Sequence, residues 1–124
     1  MVSIAQRREL QDKLNPILYL CYDYILIISD NRVLATHGGS ISLISFDANM
    51  LFTSDVIYVP QYPVGISQYD DESAPEADME YLDDMLIYVK DGKEGVIDYD
   101  GNILIEAQYS SIEFISETQM EIFP

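Results

Sequence analysis

Short runs of alternating apolar and polar residues make up most of this chain, and Gly, Asp and Asn separate them. This pattern is typical of β-strands joined by tight turns. The predicted strands are Ile17–Ser29, Val33–Thr36, Ile41–Phe46, Met50–Phe52, Val56–Val59 and, near the end, Gln119–Phe123. We therefore expect a mainly β protein with antiparallel strand order.

One helical pattern precedes the strands, over residues 3–15. Ser3 is a good N-cap, and Gln6 stands three residues later, where a capping box places Glu or Gln. Asn15-Pro16 ends the helix, because the residue before a proline is disfavoured in the helical conformation. With this helix covering one face of the strands, the predicted fold class is α+β, mainly β.

Two stretches of the chain are copies of one another. Residues 43–52 read LISFDANMLF, and residues 96–105 read VIDYDGNILI. Each copy contains an apolar strand, an Asp-(Ala/Gly)-Asn turn and a second apolar strand, so one β-hairpin unit is used twice. Gly101 is expected in its turn with a positive φ. Since single hairpins cannot bury their apolar faces alone, we expect the units to form one twisted sheet.

The second copy extends beyond these ten residues, with turns at Asp91-Gly92-Lys93 and Asp100-Gly101-Asn102 and then Tyr109-Ser110-Ser111-Ile112. These segments resemble the two turns and the Y-D-x-I position of a bacterial WG repeat. Glu94 replaces the tryptophan that names the family. The first copy is more degenerate: Tyr22-Asp23-Tyr24-Ile25 is similar to the Y-D-x-I opening, and Val56-Ile57 stands where Ser111-Ile112 does. The resemblance implies a fold of antiparallel β-hairpin repeats and implies no chemistry.

At 124 residues the chain is expected to form a single domain, residues 1–124. Within it we expect the helix at 3–15, the first repeat at 17–59, an acidic loop at 60–84 and the second repeat at 85–116. The loop is inferred from its prolines, its glycine and its many acidic residues. A helical turn is predicted inside it at Pro75–Tyr81, where proline and acidic residues suit a helix start.

Acidic residues dominate the charge, with 22 Asp and Glu against 6 Lys and Arg and a net charge of −16. Neither Lys nor Arg occurs from Val33 to Val89 or after Lys93. This distribution argues against direct binding to nucleic acid or to anionic membranes, which basic residues mediate. It favours a basic protein partner, since a strong negative field accelerates such encounters. The alternative is that the charge only keeps the protein soluble.

The densest run of acidic residues lies in the 60–84 loop, which has no Lys or Arg. Two tyrosines flank this run and are suited to anchor a partner that the charge attracts. The predicted partner-binding residues are Tyr69, Asp70, Asp71, Glu72, Glu76, Asp78, Glu80, Tyr81, Asp83 and Asp84.

The sequence contains no catalytic motif. One histidine, His37, and one cysteine, Cys21, cannot form a zinc site or a Cys-His nucleophile pair within one chain. Residues 98–102 begin like a calcium loop, but they suit a hairpin turn better. We predict no catalytic residue, no metal and no cofactor. Cys21, with its apolar neighbours, is expected to be buried, and a lone cysteine without a secretory signal fits the cytoplasm.

Three functions are compatible with these features. The first is a non-enzymatic immunity or inhibitor protein that neutralises a basic partner, such as a bacterial toxin. The second is a DNA mimic that blocks a nucleic-acid-binding defence protein. The third is a structural WG-repeat domain whose charge has no specific target. The oligomeric state is left open.

Overall fold

The computed structural model describes residues 3–66, 77–82 and 84–124. Helices α1 (Ile4–Gln11) and α2 (Ile17–Cys21) come first. The strands are β1 (Tyr24–Ser29), β2 (Arg32–His37), β3 (Ser40–Ser45), β4 (Met50–Ser54), β5 (Val56–Tyr58), β6 (Gln61–Ile66), β7 (Ala77–Tyr81), β8 (Met85–Lys90), β9 (Lys93–Asp98), β10 (Ile103–Tyr109), β11 (Ser111–Phe114) and β12 (Met120–Phe123). The predicted fold class, mainly β with an N-terminal helix and antiparallel hairpins, is confirmed.

Helix α1 begins at the predicted capping box. The Ser3 hydroxyl accepts a hydrogen bond from the Gln6 amide at 3.2 Å, and the Gln6 side chain accepts one from the Ser3 amide at 2.7 Å. These bonds satisfy amides that a helix N-terminus otherwise leaves unpaired. The helix ends at Gln11, earlier than predicted, and its buried Leu10 faces the first sheet.

Helix α2 corrects the prediction of a strand from Ile17 to Ser29. The Asn15 side chain accepts a hydrogen bond from the Ile17 amide at 3.1 Å, which supports a helical start after Pro16. Leu18, only 1% exposed, then reaches the core beside Leu10. A short apolar run suits either element locally, so tertiary packing decided between helix and strand.

The strands form two four-stranded sheets, ordered β1-β2-β3-β4 and β10-β9-β8-β5, and two ribbons, β11-β12 and β6-β7. The prediction of one continuous sheet is therefore wrong. After β4 the chain bends at Asp55, and β5 leaves the first sheet to pair with β8. Each hairpin unit thus builds its own sheet, and the two sheets stack.

The layers are stacked in the order of the sequence: the helices, the first sheet, the second sheet and then β11. The first core cluster joins Leu10, Leu14 and Leu18 to Val33, Ala35, Ile44 and neighbouring residues of the first sheet. The second joins Ile28, Leu34 and Leu43 to Ile57, Leu86, Tyr88 and Ile97. The third joins Ile87 and Val96 to Leu82, Ile112 and Phe114. Successive side chains of a strand point to opposite faces, so both faces of each sheet are buried.

The two copies have the same backbone. Ala48 and Gly101, at matching positions of the two turns, both have positive φ, 68° and 85°. The Ser45 amide donates to the Asn49 carbonyl at 3.0 Å, and the Asp98 amide donates to the Asn102 carbonyl at 3.0 Å. The predicted hairpin repeat and the predicted conformation of Gly101 are confirmed.

Strands β1, β5 and β11 open successive units in the same way. Tyr24 pairs with Thr36, Val56 with Val89 and Ser111 with Phe123, and in each opening strand an isoleucine follows. The predicted correspondence of Val56-Ile57 with Ser111-Ile112 is therefore confirmed. Asp23 and Asp55, just before β1 and β5, each accept a hydrogen bond at 3.3 Å from a backbone amide. The donors are Gly38, in the turn after β2, and Asp91, in the turn after β8.

The units differ in what joins their first two strands. Residues 30–31 connect β1 to β2, whereas the hairpin β6–β7 lies between β5 and β8. The predicted 60–84 loop is thus partly a β-ribbon, and the helical turn predicted at Pro75–Tyr81 is wrong over Ala77–Tyr81. In β7 acidic and apolar residues alternate, a pattern that suits a strand. Pairing with β6 then favours the strand over the predicted helical turn. Residues 67–76 lie outside the described residues.

Candidate functional site

The predicted partner-binding residues that the structure describes lie at the base of the β6–β7 hairpin. Glu80 and Tyr81 end β7, and Asp84 precedes β8; all three are exposed. The backbone of Asp78 lies in β7, opposite Gly65. Tyr69, Asp70, Asp71, Glu72, Glu76 and Asp83 lie outside the described residues.

Tyr81 and Asp84 line the same small hollow, of about 190 Å³. Tyr62 from β6, Leu82, and Glu117 from the turn between β11 and β12 complete the lining. Leu82 is 2% exposed and belongs to the third core cluster, so this part of the lining is anchored in the core. Its amide donates to the Pro60 carbonyl at 2.9 Å, which closes the base of the hairpin.

The hollow combines two phenol rings with two carboxylates, and no basic side chain lines it. An ammonium or guanidinium group is attracted to aromatic faces and forms strong hydrogen bonds with carboxylates. The arrangement is therefore suited to a single Lys or Arg side chain. Because the described lining contains no Lys or Arg, we expect such a cation to come from another molecule.

Glu117 was not among the predicted residues. In the sequence it is a single acidic residue in the turn before the last strand, with nothing to distinguish it from other acidic residues. It reaches the hollow only because β11 packs under the second sheet, where Ile112 and Phe114 join Leu82 in one core cluster. Long-range packing therefore places Asp84 and Glu117 in the lining of the same hollow.

Glu94, at the tryptophan position of the resemblance, has a structural role. One carboxylate oxygen accepts a hydrogen bond from the Ile112 amide at 2.7 Å, and the other accepts one from the Tyr58 hydroxyl at 3.0 Å. Burial raises the pKa of Tyr58, and the hydrogen bond and charge of Glu94 raise that pKa further, with a smaller contribution from Glu113. Glu94 thus links β9 to β5 and β11.

A second acidic feature lies on the last ribbon. Glu113 of β11 stands directly opposite Glu121 of β12, and both side chains are exposed. Like charges directly opposite one another destabilise an antiparallel pair. This ribbon therefore carries an electrostatic cost that a cation from another molecule would relieve.

A larger cleft, of about 920 Å³, lies beside the edge strands β4 and β10. Phe52, Tyr88 and Ile103 supply apolar surface, and the two lysines Lys90 and Lys93 lie among carboxylates. Those carboxylates belong to Asp55, Asp91 and Glu106. Because the lining carries both signs of charge, it does not select a basic ligand as the hollow does.

The residues considered for chemistry have local roles. His37 flanks the turn after β2, and its ring meets Tyr22 edge-on with 6.2 Å between centroids. Cys21 is exposed at the end of α2, so the prediction that it is buried is wrong, because α2 turns only Leu18 to the core. Among the described residues no three His, Cys, Asp or Glu side chains are grouped to hold a metal ion.

The calcium-loop-like segment is a hairpin turn, as predicted. One carboxylate oxygen of Asp98 accepts hydrogen bonds from the amides of Asp100 at 2.9 Å and Asn102 at 2.8 Å. Partial burial raises the pKa of Asp98, but these bonds and one from the Asn102 side chain outweigh it, so the pKa is lowered overall. Arg32 binds the same turn through the Asp100 carboxylate at 2.8 Å.

No protein family, curated protein or solved structure matches this chain. The resemblance to WG repeats therefore stays a prediction. In the described part of the chain no helix is long and apolar enough to cross a membrane; the longer of the two, α1, has eight residues.

Proposed function

We propose that this protein is a non-enzymatic acidic binding protein that neutralises a basic protein partner, as an immunity protein neutralises a bacterial toxin in the cytoplasm. The observation that carries the proposal is the hollow of Tyr62, Tyr81, Asp84 and Glu117. It presents aromatic rings and carboxylates together, and it lies at the base of the segment with the highest density of acidic residues.

The position of the acidic segment supports this function. The first unit joins β1 to β2 with a two-residue turn, and the second unit inserts the β6–β7 hairpin at the same place. Insertions in one repeat commonly form the binding face of a repeat protein. The described part of this insertion, the β6–β7 ribbon, pairs with none of the strands of the two four-stranded sheets.

Charge and hollow have complementary effects on binding. The net charge of −16 speeds the approach of a basic partner, by roughly 10- to 1,000-fold at low ionic strength for strongly steered pairs. The hollow then holds one cationic side chain, and a cation over an aromatic ring contributes about 0.5–2 kcal/mol. Long-range attraction acts mainly on the association rate, and the local contacts act on the dissociation rate.

The direct test is to co-express this protein with the product of the adjacent gene, as the candidate basic toxin, and to measure binding and protection. The double variant Asp84→Asn/Glu117→Gln and the single variant Tyr81→Ala are expected to raise the dissociation rate by about tenfold, the effect of losing about 1.4 kcal/mol. Tyr19→Ala is the matched control, because Tyr19 is 54% exposed on α2, away from the hollow. Equal effects of Tyr81→Ala and Tyr19→Ala would move the binding site to another surface.

Competition with duplex DNA and the stoichiometry of binding separate the other two functions. A DNA mimic would compete with duplex DNA for a nucleic-acid-binding protein, and neutralising the acidic segment would abolish that competition. A structural repeat domain would bind no basic protein at a fixed stoichiometry. Either result would count against neutralisation of a toxin.

A further inference from the structure

The two outer edges of the β11–β12 ribbon differ. On the outer edge of β11, the Ile112 amide donates to the Glu94 carboxylate at 2.7 Å, so a side chain of the second unit closes this edge. When two residues are directly opposite in an antiparallel pair of strands, their amide and carbonyl groups either point toward the partner strand in both residues or point away from it in both. Ile122 is opposite Ile112, so its amide and carbonyl point away from β11. No strand among the described residues pairs with that side of β12.

The repeat shows which element belongs on this edge. In the first unit β2 lies between β1 and β3, and in the second unit β8 lies between β5 and β9. Strand β12 occupies the same position beside β11, because Ser111 pairs with Phe123 as Val56 pairs with Val89. The ribbon therefore corresponds to the first two strands of a unit, and no described strand lies in the position of the third.

We propose that the open edge of β12 accepts an antiparallel β-strand from the basic partner, in the place that β9 occupies beside β8. Strand addition of this kind gains affinity from backbone hydrogen bonds and specificity from alternate side chains. The inference rests on the proposed function and adds to it a second contact, formed by the backbone, beside the hollow.

The charges on the ribbon identify the occupant. Glu121 and Glu113 lie side by side on one face, and Glu117 lies in the turn between their strands. A second copy of this chain would bring another net charge of −16 against them, so pairing of two β12 strands is disfavoured. A strand from the partner with Lys or Arg beside Glu121 would instead neutralise the repulsion between the two glutamates.

The other face of β12 is suited to apolar side chains on the added strand. Met120 packs against the third core cluster, and Ile122, on the same face, remains 40% exposed. An added strand with apolar side chains on this face would extend the core and cover Ile122. The expected segment therefore alternates basic and apolar residues.

Ile122→Pro tests the proposal, because it removes the outward amide and leaves the amides that face β11 in place. The probe is a short synthetic peptide of alternating lysine and valine, measured by calorimetry with the full chain. Ile122→Pro is expected to weaken binding by about tenfold, the loss of about 1.4 kcal/mol, and the control Ile122→Val by less than about twofold. Equal affinities of the two variants would overturn the proposal.

Two further measurements keep the test valid if Ile122→Pro disturbs the ribbon. In the unmodified protein, bound peptide is expected to slow hydrogen exchange of the Ile122 amide, and a peptide N-methylated at alternate positions is expected not to. Unchanged exchange at Ile122 with peptide bound would refute strand addition. A glutamate–valine peptide is expected not to bind, and its binding would refute the charge selection.

The outcomes for the two proposals are distinct. If the basic partner binds and responds to Asp84→Asn/Glu117→Gln but not to Ile122→Pro, the neutralising function stands and strand addition is wrong. If neither the product of the adjacent gene nor the lysine–valine peptide binds, both proposals are wrong.

Discussion

Gly101 packs directly against Leu51, so the turn of the second unit touches the corresponding hairpin of the first. A Cβ atom at Gly101 would lie 2.5 Å from the Leu51 carbonyl oxygen, too close for any side chain without a backbone shift. Ala48, the matching residue of the first turn, has the same positive φ and accommodates its methyl group. The requirement for glycine at position 101 therefore comes from the stacking of units as well as from the turn.

Replacing Gly101 by alanine is expected to destabilise the fold by about 2 kcal/mol or more, from the left-handed backbone and the contact with Leu51. Gly92→Ala is the matched control, because Gly92 has a φ of 76° and nothing within 4 Å of the added Cβ. Its cost is expected to be about 1 kcal/mol. Urea unfolding measures both, and equal losses would show that the contact with Leu51 is unimportant.

Glu94→Ala is expected to cost about 1–3 kcal/mol of unfolding free energy, because it leaves the Ile112 amide and the Tyr58 hydroxyl without their acceptor. Glu106→Ala, at an exposed position on β10, is the control and is expected to change stability by less than about 0.5 kcal/mol. If the two variants unfold at the same denaturant concentration, Glu94 does not link the units.

Tyr58, which is 37% exposed, is expected to ionise above the ordinary pH range of a tyrosine, since partial burial and the Glu94 carboxylate both raise its pKa. A raised folded pKa stabilises the protein fully below the unfolded pKa of tyrosine, and this contribution is lost as pH rises through the folded value. Glu94→Gln removes the charge and is expected to lower the pKa of Tyr58. Ultraviolet titration of the variant and the parent, each compared with its Tyr58→Phe derivative, measures the shift, and an unchanged Tyr58 pKa would contradict it.

Glu121→Lys is expected to stabilise the protein by about 0.2–1 kcal/mol, because it turns a like-charge pair with Glu113 into an opposite-charge pair. The gain is expected to shrink at high salt. If the ribbon binds a basic strand, the same change is expected to weaken that binding, so stability and affinity move in opposite directions. A variant that gained stability and kept full affinity for the lysine–valine peptide would argue against the ribbon as the contact.

Local interactions explain what could be predicted from the sequence. The capping box of Ser3 and Gln6, the turns at Ala48 and Gly101 and the alternation within the hairpins involve residues a few positions apart. Their hydrogen bonds form within one turn or one hairpin, so residue type and spacing are sufficient. The mainly β fold with antiparallel hairpin repeats follows from them.

Only the tertiary structure decided the rest, because it depends on contacts between residues far apart in the chain. The residues near Val56 do not indicate that β5 pairs with β8 of the second sheet. The residues near Ile17 do not indicate that a helix forms there and buries Leu18. Likewise, the stacking of β11 under the second sheet brings Glu117 to Tyr81 and Asp84. The sequence by itself determined the hairpin unit and the charge, whereas packing between units decided the sheets and the hollow.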